Sequence, residues 1–249
     1  MRTPTRRRSR PLGTRLPVLA PAALTVALFA LAGCSAAPQA RPIAQPQSTA
    51  VAAPAAGTAR QGTTGTVDAV AIGDSIAFGK GVAPDQAWPA LVSAEHDWRL
   101  TDLAVSGSGF VKPGWNNTTY RQQVDATLGL HPQVILLAAT RNDRDQDPAT
   151  VTANADRMLR ELRERFPDAT IVGITGIWGS DQPPATMTHV DEIVGDAVRD
   201  VDGTWIDIGF PLVGHPELLQ PDGIHPNAAG QKVVARTIDS KLRPLNLAL

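Results

Sequence analysis

From residue 67 onward, short apolar runs alternate with longer amphipathic stretches. Residues 67–72 read as a buried strand closed by Gly73, residues 98–103 as a second, and 134–138 (Val-Ile-Leu-Leu-Ala) as a third. An unbroken apolar run of that length suits a parallel strand covered on both faces. Residues 170–174 and 205–208 supply a fourth and a fifth. Helical patterns fall between them, over 86–95, 119–129, 148–166, 187–201 and 226–241. Met158, Leu159, Leu162 and Phe166 share one face of the longest helix, which Pro167 ends. Val190, Ile193, Val194 and Ala197 form the apolar stripe of the next, and Pro226 is expected in the first turn of the last. Five strands alternating with helices predict an α/β fold, a parallel sheet with helices on both sides. One domain, residues 67–249, suits that length. Functional loops of such sheets lie beyond the carboxyl ends of the strands.

The first 66 residues follow neither pattern. Six arginines and no acidic residue occur in the first 33, and residues 16–33 are apolar and uncharged. This reads as a secretory signal. A membrane-spanning helix fits less well, because the run is short for a span and contains Pro17 and Pro21. Ser9-Arg10-Pro11-Leu12 suits a twin-arginine signal poorly, so general secretion is expected. Residues 34–66 are rich in Ala, Pro, Gln, Thr and Gly, with no apolar period. They are read as a flexible tether. Leu31-Ala32-Gly33-Cys34 resembles the lipobox of bacterial lipoproteins. That resemblance implies cleavage after residue 33, a diacylglycerol on Cys34, and an extracytoplasmic protein anchored to the bacterial cell membrane.

Charge and cysteine content sharpen this picture. Cys34 is the only cysteine, so no intramolecular disulfide forms. The formal net charge is −1, but without residues 1–33 it is −7, from 17 basic and 24 acidic residues. Such a protein is a poor partner for nucleic acid, or for an anionic bilayer except through its lipid. A monomer is expected.

Four loops carry the candidate chemistry: Gly73-Asp74-Ser75, Ser106-Gly107-Ser108-Gly109, Thr140-Arg141-Asn142-Asp143, and Asp222-Gly223-Ile224-His225. The first three follow the first three strands and the fourth precedes the last helix. Their joint occurrence points to acyl transfer. A serine hydroxyl needs a base, which His225 supplies to Ser75. Asp222, three residues earlier, can hold the imidazole tautomer and stabilise its cation. The Ser75 and Gly107 N–H groups and the Asn142 amide are available to a developing oxyanion.

These loops resemble the four blocks of the SGNH (GDSL-like) hydrolases, and Gln86-Ala87-Trp88-Pro89 resembles that family's first helix. The resemblance implies a flavodoxin-like, three-layer α/β/α sandwich with a five-stranded parallel sheet. It implies Ser75 as nucleophile, His225 as base with Asp222 as its partner, and Ser75, Gly107 and Asn142 as the oxyanion hole. It gives Asp74 and Asp143 loop-supporting roles and implies no cofactor or metal. Thr140 stands where the family has glycine, and its β-branched side chain is expected to restrict the loop or narrow the cleft. Arg141 is expected in a surface salt bridge, with contact to an acidic substrate as the alternative. Trp115 and Trp178 are expected in core or rim packing, with sugar stacking as the alternative. His96, His131, His189 and His215 read as ordinary surface or loop residues. The expected activity is hydrolysis of small acyl esters, including O-acetylated carbohydrate, in an open cleft. Two alternatives stand beside it. One is an inactive envelope binding module on the same fold. The other is a metal-dependent phosphoesterase built on Asp74, Asn142, Asp143 and His225, which would lack the usual Asp-x-His after the first strand.

Overall fold

A computed structural model describes residues 66–245 and 247. The signal segment 1–33, the lipidation site Cys34 and the tether up to residue 65 lie outside the described residues. Five strands, β1 (Asp68–Ile72), β2 (Arg99–Asp102), β3 (Val134–Ala138), β4 (Thr170–Ile174) and β5 (Thr204–Ile206), form one sheet. Their order is β2-β1-β3-β4-β5 and every pairing is parallel. Five α-helices, α1 (Trp88–Glu95), α2 (Tyr120–Asp125), α3 (Pro148–Arg165), α4 (Ala185–Arg199) and α5 (Ala228–Leu242), cover it. This is the expected α/β sandwich.

Strand alternation divides the core into two halves. Ala69, Ala71, Val134, Leu136, Val172 and Ile174 face α1 and α5, meeting Trp88, Val92, Val234 and Ile238. Val70, Ile72, Ile135, Leu137 and Ile171 face α2, α3 and α4, meeting Val124, Leu159, Leu162 and Val194. β3 is buried at all five positions because both faces and both edges are covered. β2, at the sheet edge, is largely exposed.

The strand order turns at β1, with β2 on one side and β3 on the other. A switch point of this kind, beyond the carboxyl ends of β1 and β3, is the usual place for a ligand in such sheets.

Several element ends differ from the sequence reading. Pro226 lies before α5, whose N-cap is Asn227, its side-chain oxygen accepting from the Ala229 and Gly230 N–H groups at 3.0 Å. α2 stops at Asp125, where a turn leads to Gly129 at φ +81°. β5 stops at Ile206, because the Asp207 side chain caps the following turn by accepting from Gly209 N–H at 2.7 Å.

Candidate active site

The first loop continues β1 directly. Gly73 is required by close approach, since a Cβ there would lie 2.5 Å from the Ala77 Cβ. Its N–H donates to Gln123 Oε1 at 2.9 Å, and its carbonyl accepts from Gln123 Nε2, also at 2.9 Å. Buried Gln123 on α2 thus fixes the residue two before Ser75. The Ile76 carbonyl, one residue after Ser75, accepts from Gln231 Nε2 of α5 at 3.0 Å. Gln231 Oε1 in turn accepts from Trp88 N–H at the start of α1. The serine is therefore held between two glutamines from opposite faces of the sheet.

Ser75 and His225 are both buried and meet at 3.0 Å, Oγ to Nε2. His225 Nδ1 meets Asp222 Oδ2 at 2.6 Å. Asp222 Oδ1 also accepts from the N–H groups of His225 at 3.0 Å and Ile224 at 2.9 Å. These donors, the His225 N–H first among them, hold the Asp222 carboxyl well below the usual carboxylate range. The aspartate is thus an anion that orients the ring by two routes, its side chain and its backbone. Gln220 closes the turn, its N–H donating to the His225 carbonyl at 2.8 Å.

The oxyanion candidates come from three loops. Gly107 is at φ +80°, a left-handed conformation that favours glycine. Among the described residues, the N–H groups of Ser75 and Gly107 donate to no other group. Asn142 Nδ2 donates one hydrogen to the Ser108 carbonyl at 2.9 Å, which fixes the amide and leaves its second hydrogen.

Thr140 restrains its loop, as one of the two expectations has it, through hydrogen bonds rather than strain. It sits at φ −134°, ψ 139°, an extended conformation that suits a β-branched residue and has no need of glycine. Its fully buried hydroxyl donates to Asp74 Oδ2 at 2.7 Å and accepts from Asn142 N–H at 3.1 Å. Asp74 Oδ1 accepts from Ile76 N–H at 2.8 Å. Thr140 therefore ties the serine loop to the asparagine loop. Burial raises the Asp74 pKa, and the Thr140 hydroxyl bond opposes that rise. The Asp143 carboxylate accepts from the N–H groups of Phe110 at 2.6 Å, Lys112 at 2.9 Å and Val111 at 3.2 Å. Both aspartates are engaged in holding loops.

Arg141 does not make the expected surface salt bridge among the described residues. Its guanidinium lies over the Trp178 ring, 4.1 Å from the centroid. Trp178 is half-buried, whereas Trp115 is 67% exposed and so belongs to no core. His189 and His215 pair with Glu192 and Glu217 on the surface, while His96 meets Asp239 and stacks on Trp98. Gln123, Gln231 and Gln220 had no sequence signal, since nothing around them marks them as buried partners of a distant turn.

The chain resembles known proteins along most of the described domain. Residues 71–233 match the GDSL-like Lipase/Acylhydrolase family. The GDSL lipase Rv0518 of Mycobacterium tuberculosis is 25% identical over 189 residues, covering 70% of this chain and 79% of that protein. Among solved structures, TesA superposes with a TM-score of 0.57 at 22% identity, over 72% of this chain and 99% of that one. The psychrotrophic esterase EstA from a Pseudoalteromonas species gives 0.59 at 16%, over 72% and 97%. A family two carbohydrate esterase from Cellvibrio japonicus gives 0.59 at 18%, over 72% and 61%. These structural likenesses concern the fold, whereas the sequence match spans all four loops in full, from Gly73 to His225. The chain belongs to the GDSL-like lipase/acylhydrolase, or SGNH, family, and is a carboxylic ester hydrolase.

Proposed function

We propose that the protein hydrolyses esters of small acyl groups, O-acetylated carbohydrate among them, by a Ser75–His225–Asp222 relay through an acyl-enzyme. The observation that carries this reading is the unbroken chain from Ser75 Oγ to His225 Nε2 at 3.0 Å and from His225 Nδ1 to Asp222 Oδ2 at 2.6 Å. His225 takes the hydroxyl proton as Ser75 Oγ attacks the ester carbonyl. The oxyanion is received by the Ser75 and Gly107 N–H groups and the second hydrogen of the Asn142 amide. Collapse expels the alcohol, which leaves with the proton from His225. Water then repeats the sequence and frees the acid.

Exposed Trp115 offers a face to a sugar ring. The carbohydrate esterase of like fold agrees with this substrate class. We further place the protein outside the cytoplasm, as a monomer held by a lipid on Cys34.

Purified protein should release 4-nitrophenol from 4-nitrophenyl acetate, and a fluorophosphonate probe should label Ser75. Ser75→Ala and His225→Ala should each lower turnover by about three orders of magnitude, with the double variant little worse, because residues acting as a unit are not additive. A folded Ser75→Ala protein that keeps about a tenth of the activity or more would place the nucleophile elsewhere.

A further inference from the structure

We propose that Arg141, seated on Trp178, is a binding site for a carboxylate on the ester, so that the preferred substrates are anionic. This rests on the reading of Ser75 and His225 given above and names the substrate class of that site.

Half-buried arginines elsewhere in this domain are paired. Arg121 binds Asp125 and Glu161, and Arg144 binds Asp145. Arg165 binds Glu161 and the Val124 carbonyl. Arg163 donates to the carbonyls of Val201, Pro167 and Ala169. Arg141 is half-buried like these, yet among the described residues its guanidinium makes no ion pair and donates no hydrogen bond. A cation over an aromatic face uses none of its five N–H donors. A partly desolvated guanidinium with all its donors free is costly unless a partner completes it. Its natural complement is a planar carboxylate, bound by two parallel hydrogen bonds.

Placement joins the Arg141 guanidinium to the chemistry. Arg141 immediately precedes Asn142 in the single 3₁₀ turn Arg141–Asp143. The turn is fixed at its base by Thr140, whose hydroxyl accepts from Asn142 N–H. Trp178 precedes Gly179, where a Cβ would lie 3.0 Å from the Gly223 carbonyl, so the platform abuts the turn between Asp222 and His225. The charge lies close enough to Asp74 and Asp222 for both to favour it, while burial and neighbouring Arg144 oppose it. Neither aspartate is free to serve as the missing partner. Asp222 is occupied by His225 and Ile224, and Asp74 by Thr140 and Ile76. Arg144, the other cation of this turn, is held by Asp145 and donates to the Arg141 carbonyl. No described residue completes the guanidinium, and the inferred partner is a carboxylate borne by a molecule whose ester reaches Ser75.

Two pairs of esters distinguish a carboxylate on the alcohol from one on the acyl group. The first is 4-acetoxybenzoate against phenyl acetate. The second is the 4-nitrophenyl monoester of glutaric acid against 4-nitrophenyl butyrate. In at least one pair the anionic member should have a kcat/KM about tenfold or more above its neutral partner, the range of a charge-assisted bond. Arg141→Gln should collapse that ratio, mainly through KM, and Arg141→Lys should keep part of it. Calorimetry on Ser75→Ala reads the same site without turnover: the anionic ester should bind more tightly than its neutral partner, and Arg141→Gln should erase the difference. If neither pair shows a preference, or if the preference survives Arg141→Gln, the inference falls. Should neutral esters then still be cleaved in a Ser75-dependent manner, the esterase reading stands without it.

Discussion

At the scale of single residues, the hydroxyl of Thr140 is the most informative atom outside the relay. Valine has the same shape without the oxygen. Thr140→Val would strip a donor from the buried Asp74 carboxylate and an acceptor from Asn142 N–H. Leaving a buried polar group unpaired costs about 1–3 kcal/mol. In the proposed oxyanion role Asn142 would serve charge present only in the transition state, so its displacement should appear in kcat. We expect Thr140→Val to lower kcat by about tenfold or more with little change in KM, and Thr140→Ser to restore most of it. Equal loss in the serine variant would show that only the packing of Thr140 matters. Asn142→Ala should itself cost on the order of a hundredfold in kcat, measured on the same ester. Residues of this kind divide sharply in how they can be read. Ser75, His225, Asp222, Gly107 and Asn142 stand in short motifs whose chemistry is local. Thr140 is legible as a departure, but not as a bridge, because its partner Asp74 is 66 residues away. Gln123 and Gln231 are silent for the same reason, as their partners lie 50 and 155 residues off.

At the scale of elements, β3 and β4 match the sequence reading to the residue. Their apolar runs are bounded by the sheet itself, and burial on both faces leaves no ambiguity. Helix ends are less legible, because single side chains set them. Asn227, not Pro226, starts α5, and α4 ends before Asp202, a non-glycine residue at φ +55°. α4 also carries a buried acid. The Asp191 carboxyl accepts from Gly176 N–H at 2.7 Å beyond the end of β4. Burial pushes its pKa up from an ordinary 3.8 to about 7. The unfolded chain therefore releases this proton near pH 4, while the folded chain holds it until about pH 7. Between those values the folded state binds more protons, so this residue makes stability fall as pH rises. Asp191→Asn keeps an oxygen for Gly176 and cannot ionise. Its thermal midpoint should decline less than that of the wild type between about pH 5 and 8, followed by calorimetry. Parallel curves for the two proteins would refute this assignment.

At the scale of the whole molecule, residues 34–66 are rich in Ala, Pro, Gln, Thr and Gly and have no apolar period to bury against either half-core. A protein starting at Thr66 should therefore unfold in one cooperative thermal transition and retain its esterase activity. Loss of the transition would show that the preceding segment contributes to the fold. The amino-terminal proposal has its own test. A single acyl chain holds a protein to a bilayer only marginally, whereas a diacylglyceryl cysteine gives durable attachment. Cys34→Ala should appear in the soluble fraction or remain as unprocessed precursor. A variant still processed and membrane-bound would leave the lipid without a role.

The bond from Gln231 to the Ile76 carbonyl also orders events in time. His225 follows Ser75 by 150 residues, and Gln231 follows Ile76 by 155. At synthesis rates of about 5–20 residues per second, roughly eight to thirty seconds separate the emergence of the two halves of the site. Throughout that interval the nascent serine has neither its base nor the glutamine that pins its turn. On the proposed export route, the chain would cross the membrane before the proposed site is assembled. Competence would wait for α5 to bring Gln231 to the Ile76 carbonyl, so that threading and activity would not overlap.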